Sequence, residues 1–154
     1  MTKGQTFITE EGYKKLKEEL EALRNESRVT VAKKIQEARE MGGVEENPAY
    51  DVAVEQFGFI EGRISEIEDV LANTTIAEVD KSASVVELGA NVVVEFSGKK
   101  DTFRIVSSVE ADPTKRLISV ESPVGKALLG AKKGDVVVVK TPVIVAHYKI
   151  IEIK

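Results

Sequence analysis

Between Pro48 and Leu71, apolar residues recur at Tyr50, Ala53, Phe57, Ile60, Ile64, Ile67 and Leu71, stepping by three and four in strict alternation. Such a stripe is the seam of an amphipathic helix packed on a partner, because a 3.5-residue repeat keeps one face turned inward. An earlier run from Thr9 to Gly42 carries the same signal through Tyr13, Leu16, Leu20 and Leu23, then a polar Ser27, then Val31, Ile35 and Ala38. The step alters near Ser27, so the reading is a helix whose packing loosens there. Thr9 followed by Glu10 and Glu11 suits a helix start, Gly42-Gly43 a helix end, and Asn47-Pro48 a second start. Only Gly43 to Asn47 separates the runs, which predicts an antiparallel hairpin. At about 1.5 Å per residue the arms are roughly 50 Å and 37 Å long, a reach that a compact domain does not need.

After Leu71 the period changes. Residues 75–79, 91–96, 102–106, 117–120, 135–140 and 144–153 read as strands, punctuated by Gly98, Pro113, Pro123 and Gly134, with one short helix over 124–129. The continuous run Val136 to Val139 suits a strand covered on both faces, and the alternating 144–153 suits an edge. The expected fold is therefore α+β: a coiled-coil hairpin over residues 1–74, with its tip near 42–48, and a small β-rich domain over 75–154.

Composition narrows the chemistry. The 154 residues are 42% hydrophobic and 31% charged, which is globular. Cysteine is absent and histidine occurs once, which removes thiolate chemistry and multi-histidine metal centres, so any metal site must use carboxylates and a hard ion such as magnesium. The first residues lack the apolar core of a signal peptide, and no apolar stretch approaches the roughly 18 residues that span a bilayer. A cytoplasmic protein with no membrane partner is expected. Residues 1–74 hold 10 Lys and Arg against 16 Asp and Glu, and residues 75–154 hold 12 against 10. Neither half offers the clustered cations that unaided binding to nucleic-acid phosphates requires.

The candidate chemistry gathers at the hairpin tip. For Glu45 and Glu46, spacing alone is satisfied by a solvated turn. Their surroundings add a second reading, because residues 37–61 hold seven acids, Glu37, Glu40, Glu45, Glu46, Asp51, Glu55 and Glu61, against the single base Arg39. That end should carry negative potential and attract a divalent cation or a cationic partner. Elsewhere the signals are weaker. Gly125 to Lys132 resembles a phosphate-cradling loop but has Ala131 where lysine is needed, and His147 stands in a predicted strand with no nucleophile signature.

Ile35 to Tyr50, with Glu55-Gln56, Gly58-Phe59 and Glu61-Gly62-Arg63-Ile64, resembles the bacterial transcript-cleavage factors of the GreA/GreB family. In the distal half, Arg104-Ile-Val, Ile118 to Gly125, Ala127 to Gly130 and Gly134-Asp-Val-Val follow the same family in type and order. The resemblance implies an FKBP-like C-terminal domain that docks at the rim of RNA polymerase's secondary channel and a hairpin that enters the channel. It further implies a monomeric accessory factor, not itself an enzyme. Tip acids would help hold a magnesium ion of the polymerase active centre and stimulate cleavage of nascent RNA in backtracked complexes. On this view the isolated chain binds no cofactor, and it meets the RNA 3′ end and DNA only within the elongation complex. Ser122, Pro123 and Gly125 are the candidate partner surface, and Arg39, Gly42, Gly43, Asn47 and Tyr50 the candidate tip supports.

One departure stands out. The family pattern Gly-Asp-Leu-x-Glu-Asn is met here by Gly42-Gly43-Val44-Glu45-Glu46-Asn47, so Glu46 matches the second family acid and Gly43 occupies the place of the first. Val54 also stands where the family often has arginine. Two readings follow: a cleavage-stimulating factor in which Glu45 joins Glu46, or a channel-binding regulator with weak or no cleavage stimulation.

Overall fold

The computed structural model describes residues 6–78 and 84–154. Val79, at the end of the strand expected over 75–79, lies outside them. The architecture is α+β, and contacts divide the chain into two compact units: Tyr13–Thr74, and Met1–Gly12 together with Thr75–Lys154. Residues 6–12, expected as part of the hairpin region over 1–74, therefore pack with the sheet.

The helices are α1 (Glu10–Ala22), α2 (Arg28–Gly42) and α3 (Pro48–Asn73), with a π-helical turn, Leu23–Ser27, between the first two. Leu16, Leu20, Val31, Ala53, Ile64 and Ile67 are buried along the seam. The π turn explains the altered step. A continued heptad would carry the stripe from Leu23 and Ser27 to Thr30 and Lys34, yet both are exposed, while Val31 is buried and Ile35 half-buried. The chain thus holds one residue more than the repeat allows. The Arg28 N–H donates to the Leu23 carbonyl five residues back, which takes up that residue and returns Val31 to the seam. Across the hairpin, Arg28 makes a two-pronged ion pair with Glu61 (2.6 and 2.9 Å), Arg63 one with Glu19 (2.7 and 3.0 Å), and Arg24 pairs with Glu68. The carboxylate hydrogen bonds raise both the Arg28 and the Arg63 pKa.

In the other unit, β1 (Thr6–Ile8) pairs with β2 (Thr74–Ile76). The larger sheet contains β3 (Asn91–Phe96), β4 (Lys99–Val106), β5 (Leu117–Ser119), β6 (Val136–Lys140) and β7 (Val145–Ile153), in the order β5-β4-β3-β7-β6. Only β4 and β5 run parallel. Val92, Val94, Phe103, Ile105 and Ile150 form its core with Leu128 of the short helix α4 (Pro123–Leu128). Two expectations reverse here. β6 is the edge, with Val136 and Val138 exposed and Val139 buried, and β7 is internal, between β3 and β6. An apolar run does not by itself reveal whether a strand is covered on both faces.

The link that ties Thr9 into this unit is Glu110. Its carboxylate accepts hydrogen bonds from Thr9 N (3.2 Å), the Thr9 hydroxyl, Ser107 N (3.2 Å) and the Ser107 hydroxyl (2.7 Å). Thr9 in turn caps α1, its hydroxyl oxygen accepting from Gly12 N at 3.1 Å. Arg104 adds an ion pair to Glu11. Among the described residues no helix is long and apolar enough to cross a membrane.

Candidate functional site: the hairpin tip

The turn between α2 and α3 is built around two backbone conformations. Gly43 ends α2 at φ 74° and ψ −158°, with its N–H bonded to the Arg39 carbonyl at 2.9 Å. This corner of conformational space is almost closed to residues with a Cβ. Glu46 follows at φ 49°, in the left-handed region that a non-glycine residue adopts only at a cost. Glu45 and Glu46 are exposed.

Asn47 closes the turn. As the cap of α3 it accepts from Tyr50 N at 3.3 Å, while its side-chain amide donates to the Ala38 carbonyl (2.9 Å) and the Gly43 carbonyl (2.8 Å). Pro48 occupies the first helical position, where a missing N–H costs nothing. The Arg39 guanidinium lies 5.9 Å from the centre of the Tyr50 ring, a cation–π contact across the two helix ends. The structure thus pairs Arg39 with Tyr50 and Gly43 with Asn47 at the turn that carries Glu45 and Glu46, with Gly42 beside Asn47. The sequence reading missed the Ala38 carbonyl, a backbone acceptor that no side-chain pattern signals.

Chemically, the tip offers two solvated carboxylates. Among the described residues no group of three or more His, Asp or Glu side chains is placed to hold a metal ion. Magnesium commonly takes one or two protein carboxylates and fills its shell from water and substrate, so two carboxylates alone do not make a complete metal site.

The other candidates lie at the start of α4. The Ser122 hydroxyl accepts from Gly125 N (3.0 Å) and donates to the Ser119 carbonyl (2.7 Å), so this side chain builds the turn. Gly125 is buried and serves packing, which leaves exposed Pro123 as the residue able to face a partner. The Gly125 to Lys132 stretch is this helix and the turn after it, and His147 is exposed on β7.

A long helical hairpin with two exposed carboxylates at its turn, on a chain that also folds an antiparallel-rich sheet unit, defines a class of two-part α+β proteins. Residues 6–76 match the family model "Transcription elongation factor, N-terminal" and residues 81–154 match "Transcription elongation factor, GreA/GreB, C-term". The chain belongs to the GreA/GreB family of transcription elongation factors. It is 43% identical to transcription elongation factor GreA of Thermomicrobium roseum, covering 100% of both chains, and 47% identical to that of Thermoanaerobacter pseudethanolicus, covering 96% of each. Among solved structures, the GreA factor homolog 1 protein of Thermus thermophilus is 33% identical over 97% of this chain and 99% of that one, with a TM-score of 0.46.

Proposed function

We propose that this protein binds RNA polymerase through the secondary channel and stimulates the polymerase's own cleavage of nascent RNA in backtracked complexes. The observation that carries the reading is the tip: two exposed carboxylates on a turn tied by Asn47, at the end of a helical arm in a GreA/GreB-family chain. A narrow channel calls for a thin, stiff probe, and the ion-paired hairpin is one. Glu46, with Glu45 beside it, would hold a magnesium ion shared with the polymerase. When bound, that ion supplies electrophilic stabilisation of the phosphoryl oxygens and an activated water. The protein's own work is to carry the carboxylates there and hold them still. It is an accessory factor acting as a monomer in the cytoplasm, meeting RNA and DNA only inside the elongation complex, with Pro123 at the docking surface.

Gly43 favours a second reading, occupation of the channel without cleavage, because the family's first tip acid is absent. The two are separated by adding the protein to stalled, backtracked complexes and following both occupancy and release of the RNA 3′ segment. Occupancy with release supports cleavage stimulation; full occupancy without release establishes the regulator. For docking, Pro123→Asp should weaken polymerase binding at least tenfold in a competition assay, and unchanged binding would place the anchor elsewhere.

A further inference from the structure

We propose that Asn47 is the positioning residue of the tip, fixing the backbone that presents Glu46 by stitching the end of α2, the turn and the start of α3 into one unit. The functional part of this inference rests on the cleavage-stimulating reading. Three hydrogen bonds from one side chain carry it: to the Ala38 carbonyl nine residues back, to the Gly43 carbonyl within the turn, and from Tyr50 N in α3. Helix capping uses only the last of these. The two amide donations go beyond the N-cap of α3, and they tie the end of α2 and the turn to its first residues.

The neighbouring residues are fitted to this stitch. A Cβ built on Gly42 would stand 3.0 Å from Asn47 Nδ2, so the absence of a side chain there makes room for the amide. Gly43 adopts the backbone conformation in which its carbonyl meets that amide. Glu46, directly before Asn47, holds a left-handed φ of 49°, a conformation that persists only where surroundings over-determine it. The direction in which the Glu46 side chain leaves the turn is set by the backbone, and Asn47 fixes the backbone.

The test uses full-length Asn47→Ser and Asn47→Ala. Serine still caps α3 but has no amide to reach the Ala38 and Gly43 carbonyls, whereas alanine loses both functions. Backbone relaxation of residues 43–46 by NMR should show fast motion in both variants and order in the parent. At saturating factor, maximal cleavage should fall about 10- to 100-fold, with the half-saturating concentration unchanged. A tip as ordered in Asn47→Ser as in the parent overturns the proposal, as does a loss confined to the half-saturating concentration. If the parent stimulates no cleavage, the cleavage reading fails by itself. In that case a tip loosened by Asn47→Ser still identifies Asn47 as the residue that positions Glu46.

Discussion

At the scale of single residues, the tip separates what a side chain does from what its backbone permits. Glu46 pays for its place with a left-handed φ, so Glu46→Gly should stabilise the hairpin by about 0.5–1 kcal/mol in thermal melts while removing the carboxylate. Glu46→Gln should leave stability unchanged. Gly43 shows the converse. Nothing lies within 4 Å of a Cβ built there, so space is no obstacle, but φ 74° with ψ −158° is. Restoring the family's acid by Gly43→Asp should therefore cost about 1–3 kcal/mol or force the turn to rearrange, and it should not raise cleavage above that of the parent. Enhanced cleavage with the turn unmoved, seen in the amide chemical shifts of 42–47, would contradict this.

At the scale of elements, stability follows the seam. Ile67 is fully buried and Ile67→Ala should cost about 2–5 kcal/mol, whereas Phe59, 82% exposed on the same helix, should cost no more than about 0.5 kcal/mol when truncated. Urea titrations of the two variants make the comparison. The π turn gives a sharper test, since removing Asn25 should convert the turn to ordinary α-helix and keep Leu20 and Val31 on one face. That variant should melt no lower than the parent, and a lower melting point would make the extra residue part of the packing.

Both helices, their caps and most strands were legible in the sequence because each rests on local periodicity. The irregularity near Ser27 was visible too, though not its form, since a skipped heptad position can be met in several ways. The order of β6 and β7 was not legible, because an edge is defined by which remote strands pair. Neither was β1, whose three residues signal nothing without β2. At the tip the acids could be read directly. The glycine-only backbone at 43 and the reach of Asn47 to Ala38 depend on the closed turn and had no sequence signature beyond the residues themselves.

At the scale of the whole molecule, Glu110 ties together residues 101 positions apart. Glu110→Ala strands the buried Thr9 and Ser107 hydroxyls and should destabilise the sheet unit by about 1–3 kcal/mol, with Glu110→Gln recovering part of the loss. A fragment limited to residues 75–154 lacks β1 and Thr9, and it should melt below the full chain's sheet unit. Charge is divided as well: residues 37–61 hold seven acids against the single base Arg39, and residues 75–154 carry a small positive excess. In the proposed division of labour the arm presents the carboxylates and the sheet unit docks. The most direct test of that division of labour is single-turnover cleavage in backtracked polymerase complexes at saturating factor, comparing the parent with Glu45→Gln and Glu46→Gln. Glu46→Gln should abolish most of the stimulation and Glu45→Gln part of it, with occupancy of the polymerase unchanged. Stimulation undiminished by both substitutions would contradict it.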